Sequence, residues 1–176
     1  MFWKKKRKKT YKCSVCGKTH KDWPALTFNS PNSYFELSEA EKKSIAMIDS
    51  DLCKITYEDQ TDRFIRVVLK QKILASEQIL NYGLWVSLSE KSWNNYITNF
   101  NNENHEEQYF GWLDNRIKEY ENTLNIPMSV ITQKGNNRPE IIPHDDYEHP
   151  FVVDYHNGIS LDEAFKRIHK MTDNSE

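Results

Sequence analysis

The chain has only three cysteines, an odd number, and its N-terminus lacks an apolar run of signal-peptide length, because Phe2 and Trp3 give way at once to Lys4-Lys5-Lys6-Arg7-Lys8-Lys9. That combination argues against a disulfide framework and against secretion. The apolar stretches are short, such as residues 65–69 broken by Arg66, and fall far below the ~20 residues a membrane-spanning helix needs. Also missing are a glycine-rich phosphate loop, a Gly-x-Ser-x-Gly elbow, a His-Glu-x-x-His pair and a paired Ser, His and Asp pattern. The usual sequence signatures of nucleotide, serine-hydrolase and metalloprotease chemistry therefore do not appear. The expectation is a soluble cytoplasmic protein; whether it is an enzyme stays open, with the balance towards none.

What is present is a strong charge asymmetry. Nine of the 24 Lys and Arg residues lie in residues 1–21, which hold no acid, so 15 bases face 26 acids in the rest and the body carries −11. Six consecutive cations repel one another and bring no apolar surface to a core, so residues 1–10 read as a disordered basic tail. Such a tail could dock nucleic acid or an anionic membrane surface while the body would repel both. Residues 11–172 read as one domain, long enough to bury a core without disulfides, and residues 173–176 as a frayed end.

Cys13-Ser14-Val15-Cys16-Gly17, with His20 three residues on and Cys53 as the only other cysteine, outlines a metal site. Two thiolates separated by two residues can grip one tetrahedral Zn²⁺ from a tight turn, and a third thiolate with an imidazole completes a closed Cys₃His shell. Cys13, Cys16, Cys53 and His20 are the candidate ligands of a structural zinc knuckle. Two alternatives stand beside it: small buried thiols with no metal, or a redox Cys-x-x-Cys. Gly17 and Pro24 disfavour the helix that a redox motif opens, and Cys53 would be left without a role.

Local patterns predict the elements. Ser38 with Glu41 forms a capping box for a helix to about residue 49, which would return the chain so that Cys53 closes the site. Residues 52–57, 64–73 and 82–88 read as strands of an antiparallel meander, and Ser89 caps a helix over 90–100. Residues 101–108 read as a polar loop, residues 116–124 have helical spacing, and residues 126–132 and 138–142 bracket a hairpin. A last helix starts near Leu161, capped by Ser160. The sum is an α+β fold, one antiparallel sheet with packed helices and an N-terminal zinc knuckle.

Two further clusters could carry chemistry. His144, Asp145, Asp146, His149, Asp154 and His156 are ligand-type residues, and Asp154 and His156 would share a face on a strand; a solvated polar loop is the alternative. Trp85, Trp93, Trp112, Phe110 and Tyr109 resemble a stacking platform for bases, but their apolar setting and the acidic body favour burial in a core.

Taken together, Cys13-x-x-Cys16-Gly17 with His20, Asp51-Leu52-Cys53, the 85–90 run, Phe110-Gly111-Trp112-Leu113, Arg138-Pro139, His149-Pro150 and Gly158-Ile159 resemble bacterial domain of unknown function family 2199 over residues 11–168. The resemblance implies a bacterial cytoplasmic origin and supports the three-cysteine grouping, but supplies no substrate. The expected function is a non-enzymatic, zinc-stabilised protein-binding domain, such as an immunity or regulatory protein whose acidic body covers a basic partner surface. The alternatives are a metal-dependent enzyme working through the His144 to His156 region and a nucleic-acid adaptor using the basic tail.

Overall fold

The computed structural model of the protein describes residues 11–12, 17, 19–20 and 23–173. The expected basic tail, Cys13 and Cys16 lie outside those residues. β1 (Tyr11–Lys12) and β2 (Thr19–His20) form a small antiparallel ladder that places His20 opposite Tyr11.

Alternation of buried apolar side chains on one face builds the main sheet. β6 (Thr61–Lys72) buries Ile65, Val67 and Leu69, and β7 (Ile79–Leu88) buries Leu80, Tyr82, Leu84 and Val86. The period of two puts each set on one face, where the hydrophobic effect fixes the register. The two strands pair antiparallel from Phe64 opposite Ser87 to Lys72 opposite Ile79. The meander continues through β8 (Gln108–Leu113), β9 (Pro127–Ile131) and β10 (Glu140–Pro143), each antiparallel to the one before. β10 then pairs with β6, Glu140 opposite Val68, and closes a five-stranded barrel. With five strands the first and last point the same way, so the closing pair is parallel. The α+β class and the antiparallel meander are as expected, and the correction is that the sheet closes into a barrel through one parallel pair.

Outside the barrel, β4 (Ala46–Ile48) and β5 (Leu52–Thr56) extend the free edge of β6, and β3 (Leu26–Thr27) adds to β7 in parallel. Between β3 and β8 the edge of β7 is uncovered at Trp85, where Asn115 and Asp114 take over. The Asn115 side-chain oxygen accepts from Trp85 N–H at 2.7 Å and Asp114 N–H donates to the Trp85 carbonyl at 2.9 Å. No ladder group at this buried point is left unpaired.

The helices sit where their caps predict. α2 (Glu39–Ile45) opens on the Ser38–Glu41 capping box but ends early, because the chain turns extended at Ala46 to form β4. α3 (Glu90–Thr98) is capped by Ser89, and Ser160 accepts from Glu163 N–H at the start of α5 (Leu161–Asp173). α1 (Asn32–Phe35) is a single turn in a segment that reads as loop. α4 (Pro150–Asn157) replaces a segment that could have been a strand, since Pro150 sits at the first helical position and His149 caps it. The helix predicted over 116–124 is absent. Thr123 instead donates to the Asn115 carbonyl at 2.6 Å and accepts from Ile117 N–H at 2.9 Å, and Asn122 and Asn125 take positive φ. Side-chain hydrogen bonds to the backbone have displaced the helical ladder there.

Two cores result. The larger fills the barrel and the space under α3, α4 and α5, including Trp93, Tyr96, Phe151, Ile168 and Met128. The smaller lies on the other side of β5, β6 and β7, where Cys53, Ile55, Phe64 and Trp85 pack against Tyr34, Leu37 and Ile45.

Gly111 marks the tightest point of the wall. A Cβ there would lie 2.8 Å from the Ser87 carbonyl oxygen and 3.1 Å from a Val130 methyl, and backbone cannot yield as a side chain can. Gly111→Ala should therefore destabilise the protein by about 2 kcal/mol, the scale of core overpacking. Chemical denaturation checks this; an unchanged midpoint would show that the wall gives way freely.

Candidate functional site

β8 carries the site. Its sequence Gln-Tyr-Phe-Gly-Trp-Leu alternates without a fault, so Tyr109, Gly111 and Leu113 face inward and Gln108, Phe110 and Trp112 face outward. The two outward aromatics are 46% and 45% exposed, large values for rings of this size. Register puts Phe110 opposite Ser129 and Trp112 opposite Pro127, while Ile142 flanks Ser129 from β10. The residues directly opposite, Ser129 and Pro127, are small and leave both rings exposed.

The rings support one another. Phe110 and Trp112 meet edge to face with centroids 4.8 Å apart, and the His144 ring stands edge to face against Phe110 at 5.5 Å. Ser129 Oγ lies 3.2 Å from His144 Nε2 and fixes that imidazole beside the pair. Such an assembly is pre-ordered, so a ligand would find an apolar surface whose side chains lose little further entropy. Immediately after His144 comes a turn closed by Tyr147 N–H donating to the His144 carbonyl at 3.2 Å. Asp145, Asp146, Tyr147 and Glu148 are all exposed on it.

The other histidines of this region are occupied locally. His149 Nδ1 accepts from Phe151 N–H at 3.1 Å, and its Nε2 is 2.8 Å from the Glu121 carbonyl, a pair of bonds that requires the neutral Nε2–H tautomer. His156 Nε2 reaches the Pro143 carbonyl at 2.9 Å. Asp154 turns the other way and accepts from Arg167 at 3.0 Å and from Tyr120 at 2.6 Å. Arg167, only 3% exposed, also donates to Glu163 at 2.9 Å and to the Tyr82 hydroxyl at 3.2 Å, so it ties α5 to α4 and to the barrel. These residues are brought near one another in the chain but not onto one point. Among the described residues no group of three or more His, Cys, Asp or Glu is placed to hold a metal.

Of the zinc ligand candidates, Cys53 alone has described surroundings. It lies on β5 opposite Phe64 and Ile48, fully buried in the smaller core. Burial first, and the charges of Asp114 and Asp49 after it, push its thiol up to about 12.

A family model described as an uncharacterized protein conserved in bacteria (DUF2199) matches residues 12–159. The chain belongs to that family. No curated protein and no solved structure matches it. Among the described residues, no helix is long and apolar enough to cross a membrane.

The sequence reading put Phe110 and Trp112 in the core with Trp85, Trp93 and Tyr109. The last three are buried, and the first two are corrected to the surface. A signal was available in the alternation of β8 about Gly111, but the polar run before it obscured the strand.

Asp51 and Arg138, two residues quoted for the resemblance, prove to be partners. Arg138 Nε donates to Asp51 at 2.6 Å and joins the β4–β5 turn to the β9–β10 loop. Partial burial works to raise the Asp51 pKa, but the Arg138 and Ser50 hydrogen bonds outweigh it and hold the carboxyl below its usual value.

Two outcomes follow. A depressed carboxyl contributes stability above its unfolded pKa that is lost as pH falls through the folded one. Arg138→Ala should thus cost up to about 1 kcal/mol near pH 7, as for partly exposed pairs, and the gap to wild type should close as Asp51 protonates in acid. Urea melts across pH test it; a gap independent of pH would remove the ion pair as its cause. Trp112→Ala should cost under about 1 kcal/mol, whereas Trp85→Ala should cost about 3–5 kcal/mol. Equal losses would mean that Trp112 is structural.

Proposed function

We propose that the protein is a non-enzymatic binding domain whose outer barrel face, centred on Phe110, Trp112 and His144, docks a protein partner, and whose N-terminal corner is stabilised by Zn²⁺. The observation that carries the docking reading is the pair of ordered, nearly half-exposed aromatics on a rigid strand. Exposed rings of this kind contribute nothing to the core that would explain them, and aromatic anchors dominate binding energy at protein interfaces. An immunity or regulatory protein is the corresponding biological class.

Zinc is supported by the donor set. Cys13, Cys16, Cys53 and His20 offer sulfur and nitrogen in the combination that closed tetrahedral sites use. Cys53 is buried away from solvent, as the ligands of closed structural sites commonly are.

Two measurements test these readings. Photo-crosslinking in the bacterial host from position 112, with position 58 in the β5–β6 turn as control, should give a discrete adduct from position 112 only, and the identified partner should bind when purified. Failure at 112 under conditions that cross-link a known complex would overturn the docking reading. Elemental analysis should find one zinc per chain, and Cys16→Ser should lose it together with stability, in a system where zinc-finger sites contribute on the order of 10 kcal/mol. Metal-free protein with an unchanged melting temperature in Cys16→Ser would sink the zinc reading.

A further inference from the structure

The aromatic face has an uncompensated charge at its border. Several acids of the barrel exterior are paired: Glu140 with Lys70 at 2.6 Å, Glu106 with Lys134 at 2.7 Å, and Asp51 with Arg138 at 2.6 Å. Asp145, Asp146 and Glu148, on the turn that follows His144 directly, are exposed and make no ion pair among the described residues. Three exposed carboxylates border the aromatic pair, and a cation seated there would meet complementary charge. The indole of Trp112 is the best aromatic partner for one, and a guanidinium can lie flat on it while its N–H groups reach carboxylates.

Resting on the docking reading above, we infer that the segment received by this face is an arginine-bearing peptide stretch of the partner, with a guanidinium stacked on Trp112 and flanking bases neutralised by Asp145, Asp146 and Glu148. The chemistry also discriminates. Nucleic acid is repelled by the acidic turn and by a body charge of −11. A second copy of the same face would bring three more carboxylates against the first three. Apolar segments without a cation would meet the rings but leave the turn unpaired. Long-range attraction between the acidic body and a basic partner speeds encounter, so the association rate should fall with salt.

The probe is a fluorescein-labelled Arg-Leu-Arg-Leu-Arg peptide titrated into the full-length protein, with its citrulline counterpart, which keeps shape but loses charge, and its glutamate counterpart. The arginine peptide should bind at least about tenfold more tightly than the citrulline one and weaken severalfold between about 50 and about 300 mM NaCl. Trp112→Ala and the double variant Asp145→Asn/Asp146→Asn, each verified to melt like the wild type, should each lower affinity by about tenfold, the scale of a stacked or neutralised cation.

Other outcomes overturn the inference. Equal binding of the arginine and citrulline peptides, both dependent on Trp112, would leave an apolar docking face and remove the cation. Arginine-peptide binding unaffected by Trp112→Ala would be diffuse attraction to the acidic body. Tighter binding of a single-stranded oligonucleotide at the same face would assign a different ligand, and concentration-dependent dimerisation abolished by Trp112→Ala would make the occupant a second copy. If the arginine peptide binds as expected while crosslinking from position 112 captures nothing in the host, the chemistry of the face stands and the protein-docking reading alone falls.

Discussion

The seam between β6 and β10 is the constraint on which the architecture depends. A meander of five strands can close only by placing its first and last strands side by side and parallel, and parallel pairing is slightly weaker per residue than antiparallel pairing. Here the seam is short, with Glu140 opposite Val68 and Val68 N–H donating to the Pro139 carbonyl at 2.8 Å. It is reinforced from outside by Lys70 on Glu140, and beyond its end Arg138 reaches Asp51. Inside, the buried side chains of β6 and β7 fill the space that closure creates. Without the seam, β9 and β10 would be an exposed hairpin, and the outer surface of β8 would have no rigid base.

Closure also explains the site. A Cβ at Gly111 would lie 2.8 Å from the Ser87 carbonyl oxygen, so the wall holds glycine there, and the alternation of β8 aims the residues on either side of it outward. Phe110 and Trp112 are exposed as a consequence of the same geometry that buries Tyr109 and Leu113. The small residues Ser129 and Pro127 opposite them keep that exposure open. Exposure and packing are two faces of one alternating strand.

The smaller core has a separate job. Phe28, Tyr34, Leu37 and Ile45 cover Cys53, Ile55, Phe64 and Trp85 on the sheet's second face, and Trp85 Nε1–H donates to the Phe28 carbonyl at 3.0 Å. Asp114 accepts from Ser33 N–H at 2.9 Å and holds α1 against the same surface. Residues 28–45 thus cover the second face of the sheet, with Cys53 buried beneath them.

Local chemistry was legible in the sequence. The Ser38–Glu41 capping box, the Ser89 and Ser160 caps and the strands read over 64–73 and 82–88 each depend on residues a few positions apart, and the structure carries them with the strands lengthened at their starts. What tertiary structure alone decided depends on residues far apart. The segment 116–124 has helical spacing, yet long-range demands on Asn115 from Trp85 and Ser30 hold it in turns. Whether Phe110 and Trp112 were core or surface turned on what β9 and β10 set beside them, and the pairing of Asp51 with Arg138 spans 87 positions. A sequence specifies which face of a strand is apolar, but when both faces carry large rings, only the closed sheet determines which one meets water.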